Sequence, residues 1–346
     1  MANGQIAWLG WREGMSAEAA SALVHEGLDW ARETDDSMIP MLLFVDGRIT
    51  VSSGGSADFY VERVKQALSL LKEGQNLGRV ATLNCALSQA YGWAGLTNQA
   101  FAANTAAMRS LSHVEKFDDQ FLGYNVEHWV MAMRGQFLVR LGRLSEARQH
   151  LDSLLEIETT LADPTVQFIP HLAYVDLAWC RRDAGVAEEH AARVVEIAEI
   201  TGIPYLRVFG FACTGTAKAL AKNFIGAARE FGAGLELLRQ TKAWMYLEPQ
   251  LLAGFADCHL RMGEPERAAA IAAEAIELAR RRSTRLPECR AAIIRAAALL
   301  AQRGSTSRDE ALRLFRLAEQ LIEVTGARIY EPLLIEERPE CLRPIN

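Results

Sequence analysis

At 346 residues, with 37 Lys and Arg against 43 Asp and Glu, the chain has a formal net charge of −6, which gives no basic footprint for nucleic acid. Half of the residues are hydrophobic and 10 are proline, so burial is ample and helix breakers are few. No apolar run reaches the ~20 residues of a membrane span, and the first five residues lack the basic-then-apolar order of a secretory signal, so the chain is expected in the cytoplasm, away from membranes.

A glycine recurs along the whole chain, at Gly14, Gly54, Gly95, Gly142, Gly185, Gly263 and Gly304, with Asn223 in the sixth place. The steps are near 40 residues, a period that marks a solenoid of helix pairs. Seven residues before the marker stands a small residue, as at Gly47, Ser88, Gly135, Ala178 and Ala256. Five residues after it an alanine is common, as at Ala19, Ala100, Ala147, Ala228 and Ala268. Small residues at both points let the two helices of a hairpin approach closely, and the Gly or Asn ends the first helix in a left-handed conformation. The pattern predicts an all-α, right-handed superhelical solenoid of about eight hairpins, a single domain over 1–346.

In chain order, a short helix over 6–13 is followed by one over 16–32. The next pairs are 37–52 with 56–73, 76–93 with 97–111, 121–141 with 145–161, and 165–183 with 187–201. Then come 204–222 with 224–241, 247–262 with 265–282, and 287–303 with 307–324, closed by a helix over 330–338. Thr50, Val51 and Ser52 are the most strand-like residues, but they precede a marker glycine and read as a helix end. Residues 113–119 form the longest polar connection, which predicts a flexing joint near 112–120. Both ends look unfinished, so the chain is expected to be cut from, or to contact, something larger, with a simple short terminus as the alternative.

Motifs for chemistry are absent. The run from Gly210 to Thr216 has phosphate-loop glycine spacing, but Thr216 stands where lysine is required. His25-Glu26 opens a metalloprotease-like motif that Asp29 breaks. The six cysteines are far apart and read as small apolar residues in a reducing compartment. The cluster Arg280, Arg281, Arg282 falls at a helix end, where cations offset the helix dipole. No catalytic residue, metal site or cofactor is predicted.

Counted from the marker, Arg48, Gln89, Trp129, Gln136, Trp179, Arg182, Gln250 and Asp257 fall on first helices, facing the inner wall of a superhelix. Aromatic, arginine and glutamine side chains on a concave wall suit a protein or peptide partner. The same tryptophans also read as hairpin core, with the polar residues merely solvated.

The repeats resemble tetratricopeptide repeats of the longer variety found in bacterial signalling ATPases and in activators similar to the maltose-operon regulator. Four stretches, Trp8 to Ala20 (WLGWREGMSAEAA), Arg143 to Arg148 (RLSEAR), Ala275 to Leu286 (AIELARRRSTRL) and Thr325 to Pro332 (TGARIYEP), resemble the C-terminal repeat region of multidomain class III adenylate cyclases. In that family a cyclase domain and an AAA-type ATPase precede the array. The resemblance implies a non-catalytic regulatory module in bacterial signal transduction, with a cyclase or ATPase chain as a partner. A free-standing peptide or small-molecule sensor, comparable to helical-repeat quorum receptors, is the alternative; an enzyme with an unrecognised site is a third.

Overall fold

The structure, a computed structural model, describes residues 2–12, 14–34, 36–72, 76–156, 164–242, 244–302 and 305–339. Eighteen α-helices and no strand occur among them. Eight hairpins follow one another: α1 (Ala2–Arg12) with α2 (Ala17–Thr34), α3 (Ile39–Ser52) with α4 (Ala57–Ser69), and α5 (Leu77–Ala94) with α6 (Thr97–Met108). After the single helix α7 (Lys116–Leu122) come α8 (Val126–Arg140) with α9 (Leu144–Glu156) and α10 (Pro164–Arg181) with α11 (Ala184–Thr201). The last three pairs are α12 (Pro204–Leu220) with α13 (Phe224–Thr241), α14 (Glu248–Arg261) with α15 (Pro265–Arg281), and α16 (Arg285–Ala301) with α17 (Ser305–Thr325). A short helix, α18 (Glu331–Glu337), ends the described chain. Thr50, Val51 and Ser52 lie in α3, as their place before the marker predicts.

Helix starts use local chemistry. Ser56, Asn125, Asp183 and Asn223 each accept a backbone N–H of the following helix through a side-chain oxygen. Hairpin partners meet where side chains are smallest. A Cβ at Gly47 would lie 2.8 Å from Tyr60, and one at Gly135 would lie 2.4 Å from Leu151. First helices of successive hairpins also touch one another, α3 with α5, α5 with α8, α8 with α10, and so on to α16. The first helices therefore form the inner wall of a right-handed superhelical solenoid.

The sequence register shifts in two hairpins. Gly14, Gly54, Gly95, Gly142 and Gly263 have positive φ, but Gly185 sits inside α11 and Asn223 caps α13. The left-handed residues there are Arg182, φ 56°, and Lys222, φ 61°. Each then stands five residues before a fully packed alanine, Ala187 and Ala227, so Ala228 is displaced from the core by one place. In the first hairpin Gly14 keeps the left-handed position, but Ala20 packs while Ala19 is exposed. A non-glycine residue in this conformation costs roughly 1–2 kcal/mol. Lys222 is solvent-exposed, and Lys222→Gly is expected to stabilise the protein by about 0.5–1 kcal/mol. A urea titration checks this; a lower midpoint would show that the lysine carries no strain.

The connection over 113–119 is not a bare polar joint. It follows a 3-10 turn over Leu111–His113 and contains most of α7. It is docked on α5: Asp118 is buried between Arg79 (2.9 Å) and the Thr82 hydroxyl (2.6 Å). Gly78 makes the approach feasible, since a Cβ there would lie 2.0 Å from the His113 carbonyl oxygen.

The superhelix closes on itself, which no local pattern announces. The Ala57 amide donates to the Arg282 carbonyl at 2.8 Å, and the Ser56 and Ser283 hydroxyls pair at 2.9 Å. Arg285 grips both oxygens of Asp58 at 3.0 Å and donates to the Ala94 carbonyl. Gly95 lies against Leu286, and Gly142 against Arg328. The turns after α3, α5 and α8 thus rest on the segments that open and follow the last hairpin. Two arginines of the Arg280–Arg282 cluster brace the C-terminal side of the seam: Arg280 pairs with Glu288 at 2.6 Å, and Arg282 pairs with Glu248 at 2.8 Å and donates to the Met245 carbonyl.

A cavity inside the closed superhelix

Closure turns the concave wall into a cavity lined by polar and aromatic side chains. It is walled by α3, α5, α8, α10, α12, α14 and α16, with Trp244, Tyr246, Leu247, Ile329 and Tyr330 among the connecting residues that complete it. Trp244, itself left-handed at φ 60°, is the aromatic hub. It stacks on Tyr205 at 4.3 Å and on Trp11 at 5.7 Å, and meets Trp93 edge-on at 5.2 Å. Trp93 stacks in turn on Tyr246 at 4.3 Å.

Five of the eight residues proposed from sequence, Arg48, Gln89, Trp129, Gln136 and Gln250, line this cavity. Trp129 is also hairpin core, packed edge-on against Tyr124 at 5.3 Å. The other three lie elsewhere. Trp179 packs on Tyr330 at 6.0 Å, with Arg290 over its ring. Arg182 is not on a helix but in the turn after α10, paired with Glu336 of α18. Asp257 pairs with Arg261 at 3.1 Å and Arg290 at 3.3 Å, and Arg261 reaches on to Glu337. The chain's own segment 328–337 therefore lies over this part of the concave wall.

Register explains what the sequence reading missed. Arg48, Gln89 and Gln136 stand six residues before the left-handed positions 54, 95 and 142. The same offset from the true positions 182 and 222 gives Asp176 and Thr216, and both line the cavity. Counting from Gly185 had pointed instead to Trp179 and Arg182. The buried alanines at 187 and 227 were the signal that would have set the count. Trp93, Trp244, Tyr205 and Tyr246 had no positional signal, because closure brings them together.

The polar groups on this wall are under-used by the protein itself. The side chains of Gln136, Asp176 and Gln250 make no hydrogen bond among the described residues, and that of Gln89 accepts only a long one, 3.3 Å, from Tyr60. Burial pushes the Asp176 carboxyl above its ordinary value, against the pull of Arg140 and Arg290. A carboxyl raised in the folded state gives stability that is complete below its ordinary pKa and lost as pH rises through the folded value. Asp176→Asn is therefore expected to raise Tm by about 1–2 °C at pH 7.5 and to leave it unchanged at pH 3.5. Equal melting at both pH values would show that Asp176 carries no burial penalty.

Cys213, like Cys85, Cys258 and Cys289, is buried on a first helix, and burial raises all four thiols above their ordinary range. Cys341 lies outside the described residues. No group of three or more His, Cys, Asp or Glu that could hold a metal occurs among the described residues, and no helix there is long and apolar enough to cross a membrane.

No protein-family model and no curated protein sequence matches the chain. Solved structures do. A Rap protein complexed with competence and sporulation factor superposes with a TM-score of 0.63 at 13% identity, over 97% of this chain and 99% of the other. The apo form of RapI matches with a TM-score of 0.46 at 14% identity, over 97% of each chain. A tetratricopeptide repeat protein from Parabacteroides merdae matches with 0.44 at 20% identity, over 87% of this chain and 99% of the other. At these identities the likeness is one of fold: the chain has the architecture of a tetratricopeptide-like helical-repeat protein.

Proposed function

We propose that the protein is a non-catalytic regulatory repeat module that holds a short, extended peptide inside its closed superhelix. The observation that carries this reading is the ladder Arg48, Gln89, Gln136, Asp176, Thr216, one side chain from each of five consecutive hairpins at equivalent positions along one cavity wall. A peptide backbone offers hydrogen-bonding groups at regular intervals, and a polar ladder on a repeating scaffold matches that regularity. Phe168, Phe209 and Trp129 supply the apolar surface for side chains between the rungs. The Rap protein that shares the fold was solved with a bound factor, which is consistent with this use of the architecture.

A bound peptide alters output only by favouring one of two states of the array. Closure supplies them: a seam made or broken between the second and last hairpins. A cyclase or ATPase as the element that reads this change rests on the four resembling sequence stretches alone. The test is retention of random pentapeptides on the immobilised full chain, followed by affinities for the retained sequences. Gln136→Ala and Gln250→Ala, which remove groups unpaired within the protein, are expected to weaken binding about fivefold each, near 1 kcal/mol. Unchanged affinity in both would remove the cavity wall as the binding surface.

A further inference from the structure

Arg48 is 7% exposed and reaches the cavity from α3. Its guanidinium carbon lies 4.4 Å from the centre of the Trp8 ring and 5.5, 5.6 and 5.7 Å from those of Trp129, Trp244 and Trp93. Nη1 donates to the Tyr124 hydroxyl at 2.9 Å, and Nε has no acceptor. No carboxylate pairs with it among the described residues. Asp46, two residues earlier, is already held by Arg63 at 2.9 Å and His25 at 3.2 Å.

Other well-buried arginines differ. Arg282 has Glu248, Arg338 has Glu319, and Arg290 has Asp257. Tryptophan faces attract a cation but accept no directional N–H bond in the guanidinium plane. A buried guanidinium without a counter-ion is costly, and a carboxylate answers its planar fork with two parallel hydrogen bonds.

We infer that Arg48 is the anion receptor of the cavity and that the bound peptide presents a carboxylate to it, with the neighbouring apolar side chain on the tryptophan cage. This inference rests on the peptide-holding reading above. The carboxylate comes from the peptide's C-terminus or from an Asp or Glu side chain; the recognising chemistry is the same.

The experiment uses the full chain, immobilised, and an equimolar pool of random pentapeptides with free or amidated C-termini, with and without Asp and Glu. Retained peptides are counted by mass spectrometry. Carboxylate-bearing members are expected to be enriched at least tenfold over amidated members lacking acidic residues. Enrichment confined to free C-termini assigns the terminus, and enrichment of amidated acidic peptides assigns the side chain. Arg48→Gln is expected to abolish the enrichment, and Arg48→Lys, which keeps the charge, to retain part of it.

Retention with no preference for carboxylates overturns the inference and leaves the peptide-holding reading standing. No retention of any member overturns that reading and the inference with it. The comparison within the unmodified protein decides the matter even if Arg48→Gln fails to fold.

Discussion

Trp244→Ala is expected to be among the most damaging single substitutions in the protein, costing about 3–5 kcal/mol from burial alone. Trp244 is 4% exposed and joins residues from three hairpins and a connection: Trp11 of the first, Trp93 of the third, Tyr205 and Phe209 of the sixth, and Tyr246 before the seventh. Aromatic pairs add about 0.5–1.5 kcal/mol each beyond buried area. In an open solenoid such a loss would stay local, because each repeat contacts only its neighbours. Here it removes the contact between the first hairpin and the sixth-to-seventh junction. Small-angle scattering should therefore show a larger radius of gyration, with helicity by circular dichroism nearly unchanged. A melt within about 1 kcal/mol of the unmodified protein, together with unchanged dimensions, would show that this cluster does not hold the ring shut.

The second large effect is expected at Gly95, and it comes with an internal control. Gly95 and Gly263 share a φ of +79°, so alanine pays the same left-handed penalty at both. A Cβ at Gly263 meets nothing within 4 Å, whereas one at Gly95 lies 2.5 Å from the Leu286 side chain and 2.8 Å from the Leu286 backbone nitrogen. Gly263→Ala should cost roughly 1–2 kcal/mol, the conformational term alone. Gly95→Ala should cost about 1–3 kcal/mol more, because backbone must move to admit the methyl group. Chemical denaturation of the pair measures the difference, and equal costs would mean that the seam yields without resistance.

The glycine pair also shows how far the sequence can be read. Gly95 and Gly263 occupy the same place in the same repeat, and the pattern that reveals both as helix ends says nothing of Leu286 pressing on one of them. Hairpin order, hairpin number and inner-wall residues such as Arg48, Gln89 and Gln136 follow from spacing, because short-range periodicity determines them, whereas α7, inside a segment read as a polar joint, does not. Register in the fifth and sixth hairpins does not follow from glycine, since Arg182 and Lys222 accept the left-handed conformation without it. The Trp93, Trp244 and Tyr246 cluster was hidden for a different reason. It exists only when the superhelix returns upon itself, and Ser56 meeting Ser283 leaves no mark on either neighbourhood.

The distance between those two serines also sets a timetable. A polypeptide leaves the ribosome N-terminal end first, and hairpins that contact only their neighbours can form as they appear. Arg48, Trp8 and Trp129 belong to the first four hairpins, but Trp244 follows the sixth, and the seam partners Arg282 and Arg285 follow the seventh. Until those residues are synthesised and the ends meet, the chain is a stack of helices with its inner wall open to water. The pocket is therefore the last part of the molecule to come into being, and a chain stopped short of residue 282 would carry the whole ladder yet have no enclosed place to bind.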